Sequence, residues 1–212
     1  SNRRYFLYGD IQQLHPESLE IVYDCGTWSS RWMFPPDLHN AKEWKNAGHD
    51  VHVFAGPPYP DLEPGIPLHK IHNDNVFGAE HYDYFDPERP LSLLRPLTRW
   101  ELGVSKTGVF PEMQTFGFRM MMQWKKFQEK YNFDVIFDNQ TLSWGLLAIQ
   151  AMGVPVVSVI HHPLHIDREA DYTIDPRLIK KVKRTLYFPL FMQEQVAPRL
   201  ATIVTVSEAS RK

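Results

Sequence analysis

Short apolar runs alternate with amphipathic stretches along most of this chain. Runs rich in β-branched and aromatic residues predict strands at residues 19–25, 51–55, 68–72, 134–137, 155–160 and 203–206. Helices are predicted at residues 38–47, 115–131, 143–152 and 176–196. The signals are apolar positions that repeat every three or four residues, a glycine that closes the run, or a proline kink within it. Strands alternating with helices predict an α/β fold: a Rossmann-like, doubly wound, mostly parallel sheet with helices on both faces.

Two segments lie outside this alternation and set the expected domain organisation. Residues 1–18 form an N-terminal extension, in which residues 5–8 are either an extra edge strand or a short helix. Residues 73–113 are rich in Asp, Pro and aromatic side chains and are too long for an ordinary loop. We expect an irregular insertion there, with one or two short helices such as residues 92–100, lying over a cleft. The Rossmann-like domain itself spans residues 19–212.

The central unit, residues 133–168, is predicted to form a strand, a polar turn, a helix, a second strand and a loop. Polar residues follow both of its strands. Asp138, Asn139 and Gln140 come at the end of the first strand, and His161 and His162 follow the second. Open α/β sheets bind ligands at the carboxyl ends of their strands. This unit therefore predicts the location of a site.

Composition excludes several classes of protein. The formal net charge of −2 gives no general attraction to nucleic acid, so no nucleic-acid partner is expected. The only cysteine, Cys25, excludes an intramolecular disulfide framework and fits a reducing, cytoplasmic compartment. No apolar run approaches the roughly 18 residues that a membrane span needs, and the start has no secretory signal pattern.

Three stretches, residues 48–60, 133–163 and 203–212, together resemble the amino-terminal half of retaining glycosyltransferases of family 4. The resemblance implies the GT-B architecture, in which two Rossmann-like domains face each other across a cleft. The amino-terminal domain binds the acceptor, which is a sugar, a lipid or a small molecule. A carboxyl-terminal domain, absent from this chain, binds the nucleotide-sugar donor. The resemblance implies transfer with retention, no cofactor and no metal, and an inactive domain when isolated.

The resemblance also assigns residues. His161 matches the family histidine that approaches the donor sugar, and Asn139 and Gln140 match polar residues of the cleft floor. The remaining candidate binding residues are Asp138, His162, Gly26, Ser207, Glu208 and Arg211. Asp138 either caps the strand end or binds an acceptor hydroxyl. The family has a Gly-Gly loop after its first strand, whereas residues 26–36 contain one glycine and two prolines, which weakens the expected phosphate contact through main-chain amides.

Two alternative functions stay open. A non-catalytic binding module could use the same scaffold, given the altered loop and the absent second domain. A metal-dependent hydrolase could use His161, His162 and His165 with Asp167, since these side chains bind zinc. Adjacent histidines on an extended segment point in opposite directions, which argues against a shared ion. Plain packing of this loop is a further interpretation.

A basic stretch suggests a membrane contact. Five cations, accompanied by apolar residues, fall within the predicted last helix: Arg177, Lys180, Lys181, Lys183 and Arg184. A basic amphipathic helix can lie on an anionic membrane surface, which would place the protein at the inner face of a membrane. The other interpretation is a solvated face of a core helix.

Overall fold

The computed structural model describes residues 4–7, 20–24, 39–57, 59–73, 94–105, 112–160 and 188–205. The strands in these ranges are β1 (Arg4–Leu7), β2 (Glu20–Asp24), β3 (Asp50–Ala55), β4 (Leu68–Lys70), β5 (Val135–Asn139), β6 (Val156–Ile160) and β7 (Thr202–Thr205). The helices are α1 (His39–Asn46), α2 (Pro96–Ser105), α3 (Glu112–Tyr131), α4 (Trp144–Ala151) and α5 (Phe188–Val196), which a 3₁₀ turn, Ala197–Arg199, continues.

The described strands form one parallel sheet in the order β1-β7-β6-β5-β2-β3-β4. From β2 the chain builds outward through β3 and β4, then returns to β5 on the other side of β2 and builds outward through β6 and β7. This is the doubly wound arrangement, so the predicted Rossmann-like α/β class is confirmed.

The element boundaries follow the hydrophobic pattern closely. Of the two alternatives for residues 5–8, the edge strand is the one found, because Arg4–Leu7 pairs with β7. Gly48 and Gly153 have φ angles of 95° and 102° and close α1 and α4, as their sequence positions predict. Helix α2 lies in the expected insertion. Of the predicted helix at residues 176–196, residues 176–187 lie outside the described residues.

Apolar side chains cover both faces of the sheet. On β3, Val51, Val53 and Ala55 belong to one buried cluster, while Phe54 belongs to the other, because successive side chains of a strand point to opposite faces. Helix α1 covers the first face, where the Trp44 ring lies edge-on against another ring of the sheet. Helices α3, α4 and α5 cover the second face. Burial on both sides explains why these strands are continuously apolar.

Helices α3 and α4 approach closely at a pair of glycines. A Cβ added to Gly145 would lie 2.2 Å from the carbonyl oxygen of Gly117, and a Cβ added to Gly117 would overlap the Ser143 hydroxyl. This approach fixes the start of α4 against α3. It therefore fixes the turn that connects β5 to α4.

Candidate functional site

The strand order reverses between β2 and β5, and this reversal defines where a ligand can bind. Asp24 of β2 is the register partner of Asp138 of β5, so the carboxyl ends of the two strands lie side by side. In open α/β sheets the crevice outside such a switch point is the usual ligand site. The last two residues of β5 and the four that follow, residues 138–143, lie at that edge of the sheet and are called the β5 turn below.

Asp138 anchors the β5 turn from inside the protein. The Thr141 main-chain N–H donates to Oδ1 at 3.0 Å, and the Leu142 N–H donates to Oδ2 at 3.1 Å. The hydroxyls of Thr141 and Ser158 donate to the same two oxygens. Burial raises the pKa of the Asp138 carboxyl, and these four hydrogen bonds oppose the rise. The contacts are those of a strand-end cap; a role of Asp138 toward an acceptor stays a prediction.

The main chain of the β5 turn adopts a strained conformation. Gln140 and Leu142 have φ angles of 61° and 45°, in the left-handed region that favours glycine. Each such residue costs roughly 1–3 kcal/mol and persists only where the surroundings determine it. Thr141, Leu142 and Ser143 are also buried, so the turn has little room to relax. Strain held at a switch point is typical of functional sites.

Helix α5 contacts the β5 turn through the buried amide of Gln193. Gln193 Nε2 donates to the Gln140 main-chain oxygen at 3.2 Å and lies 3.7 Å from the sulfur of Met113. Met113 is at the start of α3. The beginning of α3, the middle of α5 and the end of β5 therefore meet at one point.

Three of the predicted site residues lie together at this edge. Asn139 is the last residue of β5, half-buried and opposite Val159 of β6, and Gln140 follows it with a buried side chain. Asp138 precedes both. Their roles toward a substrate stay predictions. The other candidates lie outside the described residues: Gly26, His161, His162, His165, Arg177, Lys180, Lys181, Lys183, Arg184, Ser207, Glu208 and Arg211.

The sequence interpretation missed a buried ion pair between α2 and α3. The Arg119 guanidinium binds both carboxylate oxygens of Glu101, at 2.5 and 2.7 Å, and the Thr115 hydroxyl donates to the same carboxylate. Glu101 and Arg119 are only 2% and 8% exposed, so each charge depends on the other. The available signal was Arg119 on the apolar face of α3, three residues after Phe116. This pair fixes α2 to α3.

Glu112, the first residue of α3, carries a strongly perturbed carboxyl. Burial and the negative charge of Glu101 raise its pKa to about 8. The helix before a parallel strand runs antiparallel to it, so this end of α3 lies at the carboxyl edge of the sheet. A carboxyl that keeps its proton near neutral pH, at the edge where ligands bind, is a candidate site group that the sequence did not indicate.

Two stacked histidines lie apart from this edge. His52 Nδ1 and His69 Nε2 are 2.7 Å apart, and the rings of Tyr131 and Phe133 surround the pair. Burial lowers the pKa of both imidazoles, that of His69 to about 4. A neutral, mutually hydrogen-bonded pair is a structural element. Within the described ranges no three His, Cys, Asp or Glu side chains group as metal ligands. The histidine loop of the hydrolase alternative lies outside those ranges.

The parallel strand order and the switch point between β2 and β5 define a Rossmann-like domain. The family model described as Glycosyltransferase Family 4 matches residues 38–212, which is most of the chain. The chain belongs to glycosyltransferase family 4, and the family predicted from the three sequence stretches is confirmed.

One curated relative and one solved structure show similarity to this chain. The MMP alpha-(1->4)-mannosyltransferase of Mycolicibacterium hassiacum is 36% identical over 173 residues, which are 81% of this chain and 41% of that protein. The chain thus spans about two fifths of this relative's length. The crystal structure of SsfS6, a glycosyltransferase of Streptomyces sp. SF2575, aligns with a TM-score of 0.38 at 16% identity, over 66% of this chain and 39% of that one.

Among the helices that the structure describes, none has both the length and the apolar character to cross a bilayer.

Proposed function

We propose that the protein transfers a sugar from a nucleotide-sugar donor to an acceptor hydroxyl with retention, and that this chain is its acceptor-side, amino-terminal domain. The family match over residues 38–212 carries the proposal. The parallel sheet and the strained turn at its switch point support it. The matched relative is more than twice as long as the aligned stretch, which supports a second, donor-binding domain in the complete protein.

The proposed sugar is mannose. The relative that is 36% identical over most of this chain is an alpha-(1->4)-mannosyltransferase. We therefore propose a mannose nucleoside diphosphate as the donor and a sugar hydroxyl as the acceptor group, joined by an α-(1→4) bond.

The proposed reaction replaces one bond at the anomeric carbon by another. The acceptor oxygen bonds to that carbon as its bond to the nucleoside diphosphate breaks, and the acceptor proton passes to the leaving diphosphate. The reaction balances without a resident metal or cofactor. Positive groups of the donor-binding domain would stabilise the charge on the leaving group.

This chain would supply position and orientation rather than a nucleophile. The half-buried amide side chain of Asn139 would hydrogen-bond a sugar hydroxyl at the cleft floor, and the buried Gln140 would lie beneath that floor. His161 would orient a donor hydroxyl. Asp138 would support the same site by accepting hydrogen bonds from the main chain of the β5 turn. Ser207, Glu208 and Arg211 would lie where the two domains meet.

A donor screen on the full-length protein tests the proposal. Nucleoside diphosphate release is measured with a panel of mannose, glucose, galactose and N-acetylglucosamine nucleotides, with and without α-(1→4)-mannooligosaccharide. We expect acceptor-dependent release with the mannose donor. His161→Ala should abolish it, whereas His165→Ala, a change of the same residue type in the same loop, should not. Absence of both binding and turnover with every donor would reject glycosyl transfer.

The proposed location is the cytoplasm, with peripheral contact at the inner face of a membrane. Five cations within eight residues support it, from Arg177 to Arg184. Sedimentation with vesicles of phosphatidylcholine, with and without the anionic lipid phosphatidylglycerol, tests it. Lys180→Glu with Lys181→Glu should release the protein from anionic vesicles. The exposed pair Lys125→Glu with Lys126→Glu on α3 is the matched control.

A further inference from the structure

We infer that Gln193 is a positioning residue of the sugar-transfer site, acting by holding the peptide between Gln140 and Thr141 in one orientation. The inference rests on the proposed function for its catalytic consequence. Its structural basis is independent of that function. Gln193 lies on α5, more than fifty residues along the chain from the turn that it contacts.

The peptide unit between Gln140 and Thr141 is held at both of its polar ends. Its carbonyl oxygen accepts from Gln193 Nε2 at 3.2 Å, and its N–H donates to Asp138 Oδ1 at 3.0 Å. The two restraining side chains come from different elements, α5 and β5. A peptide fixed at both ends cannot rotate without breaking at least one buried hydrogen bond, which is costly.

Without these two hydrogen bonds, the peptide would rotate to a less strained conformation. Gln140 before it and Leu142 just after it are both in the left-handed region, at φ angles of 61° and 45°. Such residues persist only where neighbouring groups impose them. Rotation of the peptide would turn the buried Gln140 side chain and shift Asn139, the two residues predicted to form the cleft floor. Displacements of about 1 Å at a site can cost on the order of 100-fold in rate.

The amide of Gln193, rather than its size, distinguishes this residue from its buried neighbours on α5. Its neighbours on the buried side of α5, Met192 and Val196, are fully buried apolar residues. A methionine at position 193 would fill a similar volume and pack well. The amide adds a donor aimed at one carbonyl of the β5 turn. A purely structural role would therefore tolerate Gln193→Met, and a positioning role would not.

Gln128, near the carboxyl end of α3, is a matched control for Gln193. Gln128 also bridges main-chain groups with its amide: Nε2 donates to the Phe133 oxygen at 3.0 Å, and Oε1 accepts from the Phe133 N–H at 3.1 Å. This bridge lies before β5, at the edge of the sheet away from the β5 turn. Gln193→Glu and Gln128→Glu make the same chemical change, in which a donor to a carbonyl becomes a carboxylate oxygen.

The experiment compares the full-length wild type with Gln193→Met, Gln193→Glu and Gln128→Glu in two measurements. Amide hydrogen exchange at Thr141 and Leu142 reports how firmly the main chain of the β5 turn is held in place. We expect exchange to accelerate by on the order of tenfold in both Gln193 variants and not in Gln128→Glu. A tenfold change corresponds to about 1.4 kcal/mol, within the range for a lost hydrogen bond. Sugar-transfer kinetics report the consequence: kcat should fall roughly 10- to 100-fold, with a much smaller change in KM for the donor.

Each remaining outcome has a defined meaning. Unchanged exchange at Thr141 in Gln193→Met, equal acceleration in Gln128→Glu, or accelerated exchange with unchanged kcat would overturn the inference. Failure of Gln193→Met to fold would also overturn it, by making Gln193 a folding residue. If the wild type transfers no sugar, the proposed function fails, and the exchange measurement alone decides whether Gln193 holds the turn.

Discussion

Removing one acceptor oxygen from Asp138 should destabilise the protein and release the β5 turn. In Asp138→Asn the side chain keeps its shape, but one oxygen becomes an NH₂ group. The hydroxyls of Thr141 and Ser158 can rotate to accept from this group, whereas the main-chain N–H groups of Thr141 and Leu142 can only donate. One of these two N–H groups therefore loses its partner in a fully buried place.

The magnitude follows from that orphaned group. A buried donor without a partner costs about 1–3 kcal/mol, so Asp138→Asn should lower the free energy of unfolding by that amount. Asp138→Ala leaves both N–H groups without partners and should cost about 3–5 kcal/mol. Both are large fractions of the roughly 5–15 kcal/mol that stabilises a typical domain.

Urea unfolding followed by tryptophan fluorescence provides the assay, because Trp144 directly follows the β5 turn. Asp61→Asn is the control: Asp61 is exposed in the loop after β3, and the same chemical change there should be neutral. If Asp138→Asn unfolds at the same urea concentration as Asp61→Asn, the carboxylate does not hold the turn. The account of its strain would then be wrong.

Four further changes test other parts of the structure by unfolding measurements. Glu101→Gln leaves a buried guanidinium without its counter-charge and should cost about 3–5 kcal/mol; a loss under 1 kcal/mol would show that the pair is not buried in solution. Glu112 has its pKa raised to about 8 from 4.5, so its contribution to stability is fully present below pH 4.5 and is lost as the pH rises to 8. Glu112→Gln should therefore be neutral at pH 4.5 and more stable than wild type at pH 8, and equal stabilities at both pH values would contradict the shift. His69, with its pKa lowered to about 4 from 6.5, contributes stability that is present above pH 6.5 and is lost as the pH falls to 4. His69→Phe should flatten the pH dependence of stability in that window, and an unchanged slope would refute it. Gly117→Ala should cost about 1–3 kcal/mol by forcing α3 and α4 apart, and a neutral result would contradict their close approach.

The sheet could be predicted because its strands are buried on both faces. Continuous apolar runs such as residues 155–160 signal that burial directly, and glycines at 48 and 153 mark helix ends that need a positive φ angle. The sequence also predicted that Asp138, Asn139 and Gln140 lie at the carboxyl edge of the sheet, because polar residues at the end of a parallel strand lie there.

The parts of the site that depend on distant pairs could not be predicted. Nothing near Gln193 in the sequence shows that its amide reaches Gln140, because that contact depends on how α5 packs against α3 and α4. The ion pair of Glu101 and Arg119 joins two helices across a segment without clear periodicity. The left-handed φ angle of Leu142 is imposed by Asp138 against the preference of leucine, so no local propensity indicates it.

The anomeric configuration of the product is the sharpest test of retaining sugar transfer. The full-length protein is incubated with an α-linked mannose nucleoside diphosphate and an oligomannoside acceptor, and the new glycosidic bond is identified by proton and carbon NMR. Retaining transfer predicts a single new α-linked mannose, formed with release of one nucleoside diphosphate per bond. A β-linked product would contradict retention, and donor hydrolysis without any glycosidic product would contradict transfer.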